Sequence, residues 1–560
     1  MKTFQSLKRK RAASIILGMQ PSFLRNYLYI CIVVSKKKNA MYQRIYPIGV
    51  QNFESLRKDG YIYVDKTALI YQLVKTGRYY FLSRPRRFGK SLLLSTLHAY
   101  FDGKRELFEG LAIEKLEQDW VKRPVLHLDL NTQQYDSPQS LHDKLNRVLV
   151  EWESVYGSVP AENSLPMRFE GVIQRACEQT GHRVAILVDE YDKPMLQAIG
   201  NPALQEAFRN ILKPFYGALK SKDGYIKFGF LTGVTKFSKV SVFSDLNNLI
   251  DISMSPHFVA LCGITEEELH CNFDEDIRQL GEIQNMTYEE TCQKLKEDYD
   301  GYHFSPNSIG IYNPFSILNA FFNMRFDNYW FQTGTPSYLV ELLQKHDYDL
   351  YSMSHEEASS KLLDSIDSME DNPIPVIYQS GYLTIKGYDR EFDLYRLGFP
   401  NREVEKSFFD YLLPYYTGKY ERKSEFNIRK FVREVESGDY ESFFRRLTTF
   451  FAGIPYDLAA GFSLERHYQN ILFIVFRLLG FYTKVEYHTS EGRIDLVLQT
   501  AHFTYVMEFK LDGTAEEALQ QIEDKHYAAP FAADKERKLF KAGINFSKET
   551  HGIEKWVVKE

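Results

Sequence analysis

Residues 79–101 read YYFLSRPRRFGKSLLLSTLHAYF. An apolar run, Tyr79–Leu82, leads into a basic loop, and a segment with apolar residues at helical spacing follows. The loop ends in Gly89, Lys90 and Ser91. A phosphate-binding loop needs backbone N–H groups that point at the phosphates, a lysine that reaches the β and γ oxygens, and a hydroxyl for Mg²⁺. The order of strand, Gly-Lys-Ser and helix therefore predicts a nucleotide site.

The loop departs from the usual glycine-rich form. Arg84 occupies the position of the first glycine, Pro85 has no N–H to donate, and Arg86 and Arg87 add further positive charge. An isolated Gly-Lys-Ser at a helix start commonly only caps the helix. A nucleotide site therefore also requires a second half, an acidic strand elsewhere in the chain.

The segment RVAILVDEYD, residues 183–192, supplies that second half 99 residues after Lys90. Val184–Val188 is a continuous apolar run of the kind that a central parallel strand shows, and it ends in Asp189 and Glu190. We expect Asp189 to hold Mg²⁺ through water and Glu190 to polarise the attacking water. The alternative is that both carboxylates only cap the next element.

A third strand is predicted in IKFGFLTGVTKFS, residues 226–238, whose apolar run reaches the polar residues Thr232 and Thr235. In P-loop ATPases of the AAA type a polar residue at this place senses the γ-phosphate, and we assign that contact to Thr232. Arg209, in a helix-like segment between the strands, is either an arginine finger from a neighbouring subunit or part of a solvated helix face.

Six segments carry a resemblance to a known family. They are YPIGVQNFESLRKDGYIYVDKT (46–67), SRPRRFGKSLLLSTL (83–97), ILVDEYDKP (186–194), DYDGYHF (298–304), YNPFS (312–316) and NYWFQTGTPSYL (328–339). Together they resemble the AAA-ATPase-like family of bacterial proteins, which typically carry a C-terminal nuclease-like domain of the PD-(D/E)XK type. The resemblance runs from about Met41 to near the C-terminus. It implies that Arg84 is a family trait and that Arg86, Arg87 and Phe88 belong to the nucleotide-binding loop.

The C-terminal stretch HTSEGRIDLVLQTAHFTYVMEFKLDG, residues 488–513, contains two short apolar strands interrupted by Asp495, Glu508 and Lys510. Residues two apart in a strand share a face, so Glu508 and Lys510 project together, and a hairpin would place Asp495 opposite Glu508. Two converging carboxylates repel unless a cation joins them. A divalent metal held by Asp495, Glu508 and the Phe509 carbonyl would polarise a phosphodiester and acidify a bound water. Lys510 would orient or deprotonate that water, or stabilise the developing charge.

The spacing D-x12-E-x-K matches the PD-(D/E)XK nuclease signature. By that resemblance, Glu465 on the preceding helix is an additional metal ligand, and Gln520 on the following helix is the glutamine that accompanies the site. Lys525 and Tyr527 resemble the tail of the same helix and are candidates for contact with the DNA backbone. The alternative is a surface hairpin with one aspartate and an ordinary Glu–Lys pair.

The remaining chain divides into regions of different character. Residues 256–400 show helical periodicities and are predicted to form a helical lid or adaptor, within which residues 298–316 form a turn-rich connector and His303 is structural. The predicted units are a basic extension (1–40), an ATPase domain (41–255), the lid or adaptor (256–400), linker helices (401–450) and a nuclease-like domain (451–560).

The first 40 residues contain nine Lys or Arg and no acid. The whole 560-residue chain has a net charge of −5, so the residues after position 40 carry −14. Their apolar stretch is shorter than the ~20 residues of a membrane span. We interpret residues 1–40 as a disordered extension or a start-site artefact, with Met41 as the start of the first domain, rather than as a membrane anchor or signal peptide. Five scattered cysteines without metal-ligand spacing favour a cytoplasmic protein.

These patterns predict an α/β protein with a parallel-sheet P-loop ATPase, a helical middle region and an α/β nuclease-like domain. The leading hypothesis is an ATP-regulated nuclease that uses ATP and Mg²⁺, or Mn²⁺ at the nuclease site, acts on DNA and allows a homo-oligomer, with no membrane partner. The alternative is an ATP-dependent switch or scaffold whose nuclease fold binds without cutting. The acidic balance outside residues 1–40 favours the alternative, because DNA-binding proteins usually show a basic footprint.

Overall fold

The computed structural model describes residues 44–236, 248–331, 337–363, 372–418, 428–454, 464–480, 484–490, 493–511, 513–547, 549 and 552–560. Only the backbone is described at residues 337, 338, 341, 354, 355, 464, 465, 484–490 and 493–495. The extension predicted over residues 1–40 lies outside the described residues.

The first half of the chain forms a five-stranded sheet in which every strand pair is parallel. Its strands are β1 Tyr79–Ser83, β2 Val125–Asp129, β3 Val184–Asp189, β4 Ile226–Gly233 and β5 Ile250–Asp251. Their order across the sheet is β2-β3-β4-β1-β5, so β4 separates the loop strand β1 from the acidic strand β3. Strand β3 is buried along its whole length, which explains its uninterrupted apolar sequence.

Helices pack on both faces of this sheet because successive strand residues alternate between the faces. Tyr80 and Leu82 belong to the core with helix α3 (Lys90–Phe101), whereas Tyr79 and Phe81 belong to the core with α5 (Pro138–Tyr156), α6 (Leu165–Thr180) and α8 (Pro202–Ser221). The helices are α1 Phe53–Lys58, α2 Thr67–Thr76, α3 Lys90–Phe101, α4 Ala112–Leu116, α5 Pro138–Tyr156, α6 Leu165–Thr180, α7 Lys193–Gln197 and α8 Pro202–Ser221, with 3-10 turns at Arg105–Phe108 and Asp223–Tyr225. The predicted α/β class with a parallel ATPase sheet is confirmed.

The middle region is not helical throughout. Its helices are α9 Glu266–Gln284, α10 Tyr288–Tyr299, α11 Pro314–Asn323, α12 Ser337–Lys345, α13 Ser360–Leu363 and α14 Ile374–Gln379, with 3-10 turns at Pro256–Leu261 and Ser352–His355. It also contains an antiparallel sheet of β6 Glu357–Ser359, β7 Thr384–Asp389 and β8 Leu394–Gly398, with β8 in the centre. These strands are three to six residues long, too short to give a clear alternating pattern in the sequence.

The C-terminal part is a second five-stranded sheet, of mixed direction and order β13-β12-β11-β10-β9. Its strands are β9 Lys484–Ser490, β10 Arg493–Gln499, β11 Phe503–Leu511, β12 Lys538–Ser547 and β13 Gly552–Lys559. The helices are α15 Arg402–Thr417, α16 Ile428–Ser437, α17 Tyr440–Ala452, α18 Leu464–Gly480 and α19 Ala515–Asp524, with a 3-10 turn at Ala529–Phe531. Helix α19 connects the parallel pair β11 and β12 and packs on one face of the sheet, with α18 on the other.

No helix in the described ranges combines the length and the apolar composition that a bilayer crossing requires.

Candidate nucleotide and nuclease sites

A cleft of about 360 Å³ lies at the carboxyl edge of the parallel sheet. Parallel strands present their carboxyl ends at one edge, where ligands bind in open α/β sheets. The cleft is lined by the loop before α3, by Glu190 after β3, and by two segments that the sequence analysis did not assign to the site. These are Pro47–Gln51 near the start of the described chain and Pro314, Phe315 and Leu318 at the start of α11.

The loop delivers the start of α3 to this cleft. Gly89 immediately precedes the helix with φ of 91°, a left-handed conformation that favours glycine. The first N–H groups of a helix have no intrahelical partner, and with the helix dipole they form an anion-binding site. Arg87 also has a positive φ, of 70°, so the loop turns sharply just before its Gly-Lys-Ser.

Lys90 is held inside the loop. Its side chain is 4% exposed, and Nζ donates to the carbonyl oxygens of Arg84 at 3.1 Å and Pro85 at 3.3 Å. The same Nζ lies 3.5 Å from Glu190 Oε1. Lys90 and Glu190, which are 100 residues apart in sequence, therefore meet at one point of the cleft.

Asp189 is buried at the end of β3 and accepts a hydrogen bond from the Ser91 hydroxyl. Burial raises the pKa of Asp189 to about 6, and the neighbouring charge of Glu190 adds to that rise. Its Oδ1 atom is buried and has no hydrogen-bond partner within the described residues. A buried carboxylate oxygen with spare acceptor capacity beside a serine hydroxyl fits an oxygen-liganded divalent cation.

The strand register adds an acid that the sequence reasoning missed. Asp129, the last residue of β2, pairs with Asp189 on the adjacent strand, and its charge raises the pKa of Asp189 further. The signal was present in LHLDLN, residues 126–131, where an apolar run ends in an acid as β3 does.

Thr232 and Thr235 differ in their surroundings. Thr232 is buried on β4, between β1 and β3, and its hydroxyl has no partner in the described part of the chain. Thr235 donates from its hydroxyl, at 2.6 Å, and from its backbone N–H, at 2.7 Å, to the fully buried Asp192. Thr235 is thus committed to a structural contact, and Asp192 is another residue that the sequence reasoning did not identify.

The loop arginines also have different surroundings. Arg84 is 1% exposed, donates to the carbonyls of Ser83 at 2.9 Å and Ser253 at 2.7 Å, and lies 4.0 Å from the Phe304 ring. Arg86 and Arg87 line the cleft, and the Arg87 guanidinium lies 4.8 Å from the Phe315 ring. Burial of Arg84 therefore anchors the loop to the core, while the next two arginines reach the cleft.

Phe88 and Arg209, two further predicted positions, are not among the residues that line the nucleotide cleft. Phe88 is 1% exposed and packs edge-to-face on Tyr302 at 4.8 Å, because its aromatic ring is turned into the core. Arg209 forms an ion pair with Glu206 of its own helix. His303 bonds within the middle region, to the Ser308 carbonyl, as the structural interpretation predicts.

The second site lies on the β10–β11 hairpin. The antiparallel register places Asp495 directly opposite Glu508, and opposed residues share a face of the sheet. Val506 packs against Ile522 of α19, so Glu508 and Lys510, two and four residues further along β11, are on the α19 face. The side chain of Asp495 lies outside the described residues.

Glu508 is fully buried, and Gln521 Nε2 on α19 donates to its Oε1 at 2.5 Å. Gln520, the predicted partner, instead donates to Asp524 Oδ1 at 2.8 Å and is exposed. Adjacent residues of a helix point about 100° apart, and Ala518 and Ile522 define the buried side of α19. The register of this helix therefore brings Gln521 to the carboxylate and turns Gln520 to solvent.

The close approach of α19 depends on a glycine. Gly543 on β12 pairs with Glu508, and a Cβ at this position would lie 2.1 Å from the Ala515 carbonyl oxygen and 2.5 Å from the Leu519 nitrogen. Any side chain at residue 543 would push the helix away from the sheet, and with it Gln521.

Glu465 belongs to helix α18, and its side chain lies outside the described residues. Tyr468, three residues later, stacks on Phe546 at a centroid distance of 5.7 Å, and Phe546 pairs with Leu511. The start of α18 is therefore at the same end of the sheet as Lys510. Lys525 is exposed at the C-cap of α19, and Tyr527 packs partly on the cluster of Val506 and Ile522.

Within the described part of the chain, no group of three or more His, Cys, Asp or Glu side chains converges as a metal site. This statement does not extend to the side chains of Asp495 and Glu465, which are not described.

Comparison with known proteins follows this division of the chain. Residues 47–243 match the family described as Predicted AAA-ATPase, and residues 463–556 match the PD-(D/E)XK nuclease superfamily. A relative from Azotobacter chroococcum mcd 1, described as an uncharacterized protein in the vnfD 5′ region, is 35% identical over 522 residues, covering 92% of this chain and 98% of the relative. This chain belongs to the AAA-ATPase-like family and carries a C-terminal PD-(D/E)XK nuclease-superfamily domain. No solved structure matches it.

The middle region of this AAA-ATPase-like protein contacts the loop that precedes α3 and stabilises its conformation. The Trp330 indole donates to the Arg86 carbonyl at 3.1 Å, and the Gly263 N–H donates to the Phe88 carbonyl at 3.1 Å. Gly381 lies against Pro85, where a Cβ would come within 2.5 Å of the proline ring. The loop conformation thus depends on residues up to about 300 positions away in sequence.

Glu403 connects these contacts to the nuclease-superfamily domain. This buried carboxylate, at the start of α15, accepts from the Trp330 N–H and from the Ser316 hydroxyl on α11, both at 2.7 Å. Burial raises the pKa of Glu403 to about 7. Two residues later, Glu405 forms an ion pair with Arg477 of α18. Helix α15 therefore contacts both the nucleotide side and the nuclease-superfamily side of the molecule.

Proposed function

We propose that this protein is a metal-dependent nuclease that cleaves DNA under the control of ATP bound to its AAA-ATPase-like domain. The observation that carries the proposal is the β10–β11 register, in which Asp495 is opposite a fully buried Glu508 with Lys510 two residues beyond. A buried carboxylate opposite a second acid in the strand register is costly unless a cation neutralises the pair.

In the nucleotide cleft, the first turn of α3 and Lys90 would bind the phosphates of ATP. Ser91 and Asp189 would hold Mg²⁺, and Glu190 would orient the attacking water. Thr232, whose buried hydroxyl has no protein partner among the described residues, would contact the γ-phosphate side of the cleft. Arg86, Arg87 and Phe315 line the same cleft and would contact the remainder of the nucleotide.

In the nuclease-superfamily domain, Asp495 and Glu508 would hold the divalent cation, with Glu465 as a candidate for the same role. When bound, a divalent cation polarises a phosphodiester and lowers the pKa of water. Gln521 orients the Glu508 carboxylate by donating to Oε1. Lys510 would take or hold the proton of the attacking water, or neutralise charge on the phosphate.

Control by ATP is proposed to run through α15. A change in the loop on nucleotide binding would alter the Trp330–Arg86 contact, and Trp330 shares Glu403 with α11. Because Glu405 and Arg477 tie α15 to α18, a shift of α15 would be felt at the end of the sheet that carries Lys510.

The test is a cleavage assay on supercoiled and linear DNA with Mg²⁺ or Mn²⁺, with and without ATP. The proteins compared are the wild type, Glu508→Gln and a Gln520→Ala control on the same helix as Gln521. We expect metal-dependent cutting that Glu508→Gln abolishes and Gln520→Ala retains, with a rate that changes when ATP is added.

Cutting that persists in Glu508→Gln would refute the assignment of the site. Absence of cutting in the wild type, with ATP still hydrolysed, would favour the alternative of an ATP-dependent switch whose nuclease fold does not cut. The contacts of α15 with both domains suit that alternative as well.

A further inference from the structure

A row of basic residues crosses the amino edge of the parallel sheet, at the opposite end of the strands from the nucleotide cleft. Arg183 immediately precedes β3, Lys227 is the second residue of β4, and Arg78 immediately precedes β1. On β2, Val125 pairs with Ala185, which places Arg123 level with Arg183. Because β2, β3, β4 and β1 are consecutive across the sheet, the four residues lie at the amino ends of four adjacent strands.

The members of this row differ in their partners. Arg78 is paired with Asp223 at 2.8 Å, and nearby Lys75 with Glu117 at 2.9 Å. Within the described ranges, Arg123, Arg183 and Lys227 have no carboxylate within ion-pair distance. Arg183 is exposed and the other two are half-buried. Asp223 and Glu117 therefore pair with Arg78 and Lys75, and Arg123, Arg183 and Lys227 have no direct ion pair within the described ranges.

These cations repel one another. Burial lowers the pKa of Lys227, and the charges of Arg123, Arg183, Lys75 and Arg78 lower it further. Burial and the charge of Arg183 likewise lower the pKa of Arg123. Uncompensated like charges destabilise a fold, so their gathering on one edge is unfavourable in the absence of an anion.

The composition of the chain does not account for the row. Outside residues 1–40 acids outnumber Lys and Arg and the net charge is −14, so the average composition does not predict a group of cations on one edge. Neighbouring strands are ~4.8 Å apart. The row therefore gathers its cations within a few strand spacings, and the closely spaced phosphates of a nucleic-acid backbone can neutralise several such cations at once.

We propose that Arg123, Arg183 and Lys227 bind the phosphate backbone of a nucleic acid. The choice of a nucleic acid as the partner rests on the proposed function. The row would be a surface of the ATPase domain that binds the nucleic acid away from the cutting site. The nucleotide cleft is at the other edge of the same sheet, so ATP and nucleic acid can be bound at once.

The test measures the affinity of the full-length protein for a fluorescent 30-base-pair DNA in EDTA, as a function of salt. The variant Arg123→Gln, Arg183→Gln, Lys227→Gln is compared with Lys345→Gln, Lys361→Gln, Arg390→Gln. The control removes the same charge from exposed residues of the middle region that have no ion-pair partner among the described residues. Each lost phosphate contact lowers the slope of log affinity against log salt by ~0.9.

We expect the row variant to bind at least tenfold more weakly, with a slope reduced by about 2 to 3, and the control to match the wild type. Arg183→Gln alone should reduce the slope by about 1. Because residue 183 is exposed, this single variant keeps the test valid if the triple variant misfolds. Single-stranded DNA and RNA probes of equal length show which nucleic acid is preferred.

Equal affinity and slope in the row variant and the control would overturn the proposal. A change in sedimentation of the protein alone, with DNA affinity unchanged, would also overturn it, because the row would then contact another protein surface. The assay needs no divalent metal, so a protein that binds through the row but never cuts would refute the nuclease and leave this inference standing.

Discussion

The nucleotide cleft and the β10–β11 hairpin are built in opposite ways. In the cleft, Lys90 meets Glu190 from 100 residues away, and Phe315 arrives from much further along the chain. In the hairpin, Asp495 and Glu508 are 13 residues apart and are brought together by the pairing of two adjacent strands. The first site depends on the order of strands in a parallel sheet, and the second on the register of a single turn.

The two sites also differ in what supports them. The loop of the cleft is fixed by contacts from the middle region, through Trp330 and Gly381. Glu508 accepts a hydrogen bond from Gln521, on the helix that follows its own strand. A long-range site of the first kind can respond directly to domain movement, whereas the hairpin site would respond through α18, which is tied to α15 by the ion pair of Glu405 and Arg477.

The largest expected effect is a loss of ATP binding in the cleft that leaves metal binding at the hairpin site unchanged. Lys90→Ala should weaken ATP binding by at least ~100-fold, because it removes the cation from a buried phosphate site. Metal binding by the hairpin should not change. Isothermal calorimetry with ATP and, separately, with Mn²⁺ measures both, and Arg209→Ala serves as a control that removes a cation paired within its own helix. Wild-type ATP affinity in Lys90→Ala would sink the assignment of the loop.

A tenfold to hundredfold effect is expected within the hairpin site. Gln521→Ala should weaken Mn²⁺ binding and cleavage by about 10- to 100-fold, the range found when a group that orients a metal ligand is lost. Gln520→Ala should leave both unchanged, because its side chain bonds to Asp524 at the surface. The opposite ranking of these neighbouring glutamines would show that α19 sits in a different register.

About a tenfold effect of pH is expected in the cleft. Burial raises the pKa of Asp189 to about 6, so the carboxylate is mostly ionised at pH 7 and mostly protonated at pH 5. Since a cation needs the ionised form, protonation of Asp189 should by itself lower the Mg²⁺-dependent ATP affinity about tenfold between pH 7 and pH 5.

The control for this prediction is Asp189→Asn, whose side chain does not titrate. Its ratio of affinities at the two pH values should contain only the titration of the nucleotide, measured by calorimetry in matched buffers. A ratio equal to that of the wild type would show that Asp189 is not the titrating ligand.

The smallest expected effect links the two regions. Trp330→Phe keeps the aromatic ring but removes the N–H donated to Arg86, at a cost of about 1 kcal/mol, or roughly fivefold in ATP affinity. The change in cleavage rate caused by ATP should shrink in the same variant. Trp120→Phe, in the ATPase core, is the matched control. Equal responses of the two variants would argue against communication through Trp330.

The sequence alone determined two kinds of candidate site residue. The first kind lie close together in the chain, and the second are acids at the end of an apolar strand. Gly89, Lys90 and Ser91 begin a helix after a buried strand, Asp189 ends the central strand, and Asp495 is opposite Glu508, each as predicted. Apolar periodicity reports these elements directly, because burial of one face sets the pattern.

Only the tertiary structure decided which side chains complete the sites. It turned Phe88 and Arg84 into the core, chose Gln521 over Gln520, and added a small sheet to the middle region. It also linked Trp330 to Glu403. The physical reason is that these outcomes depend on packing between distant segments and on rotation about helix axes, and neither leaves a periodic trace in the sequence.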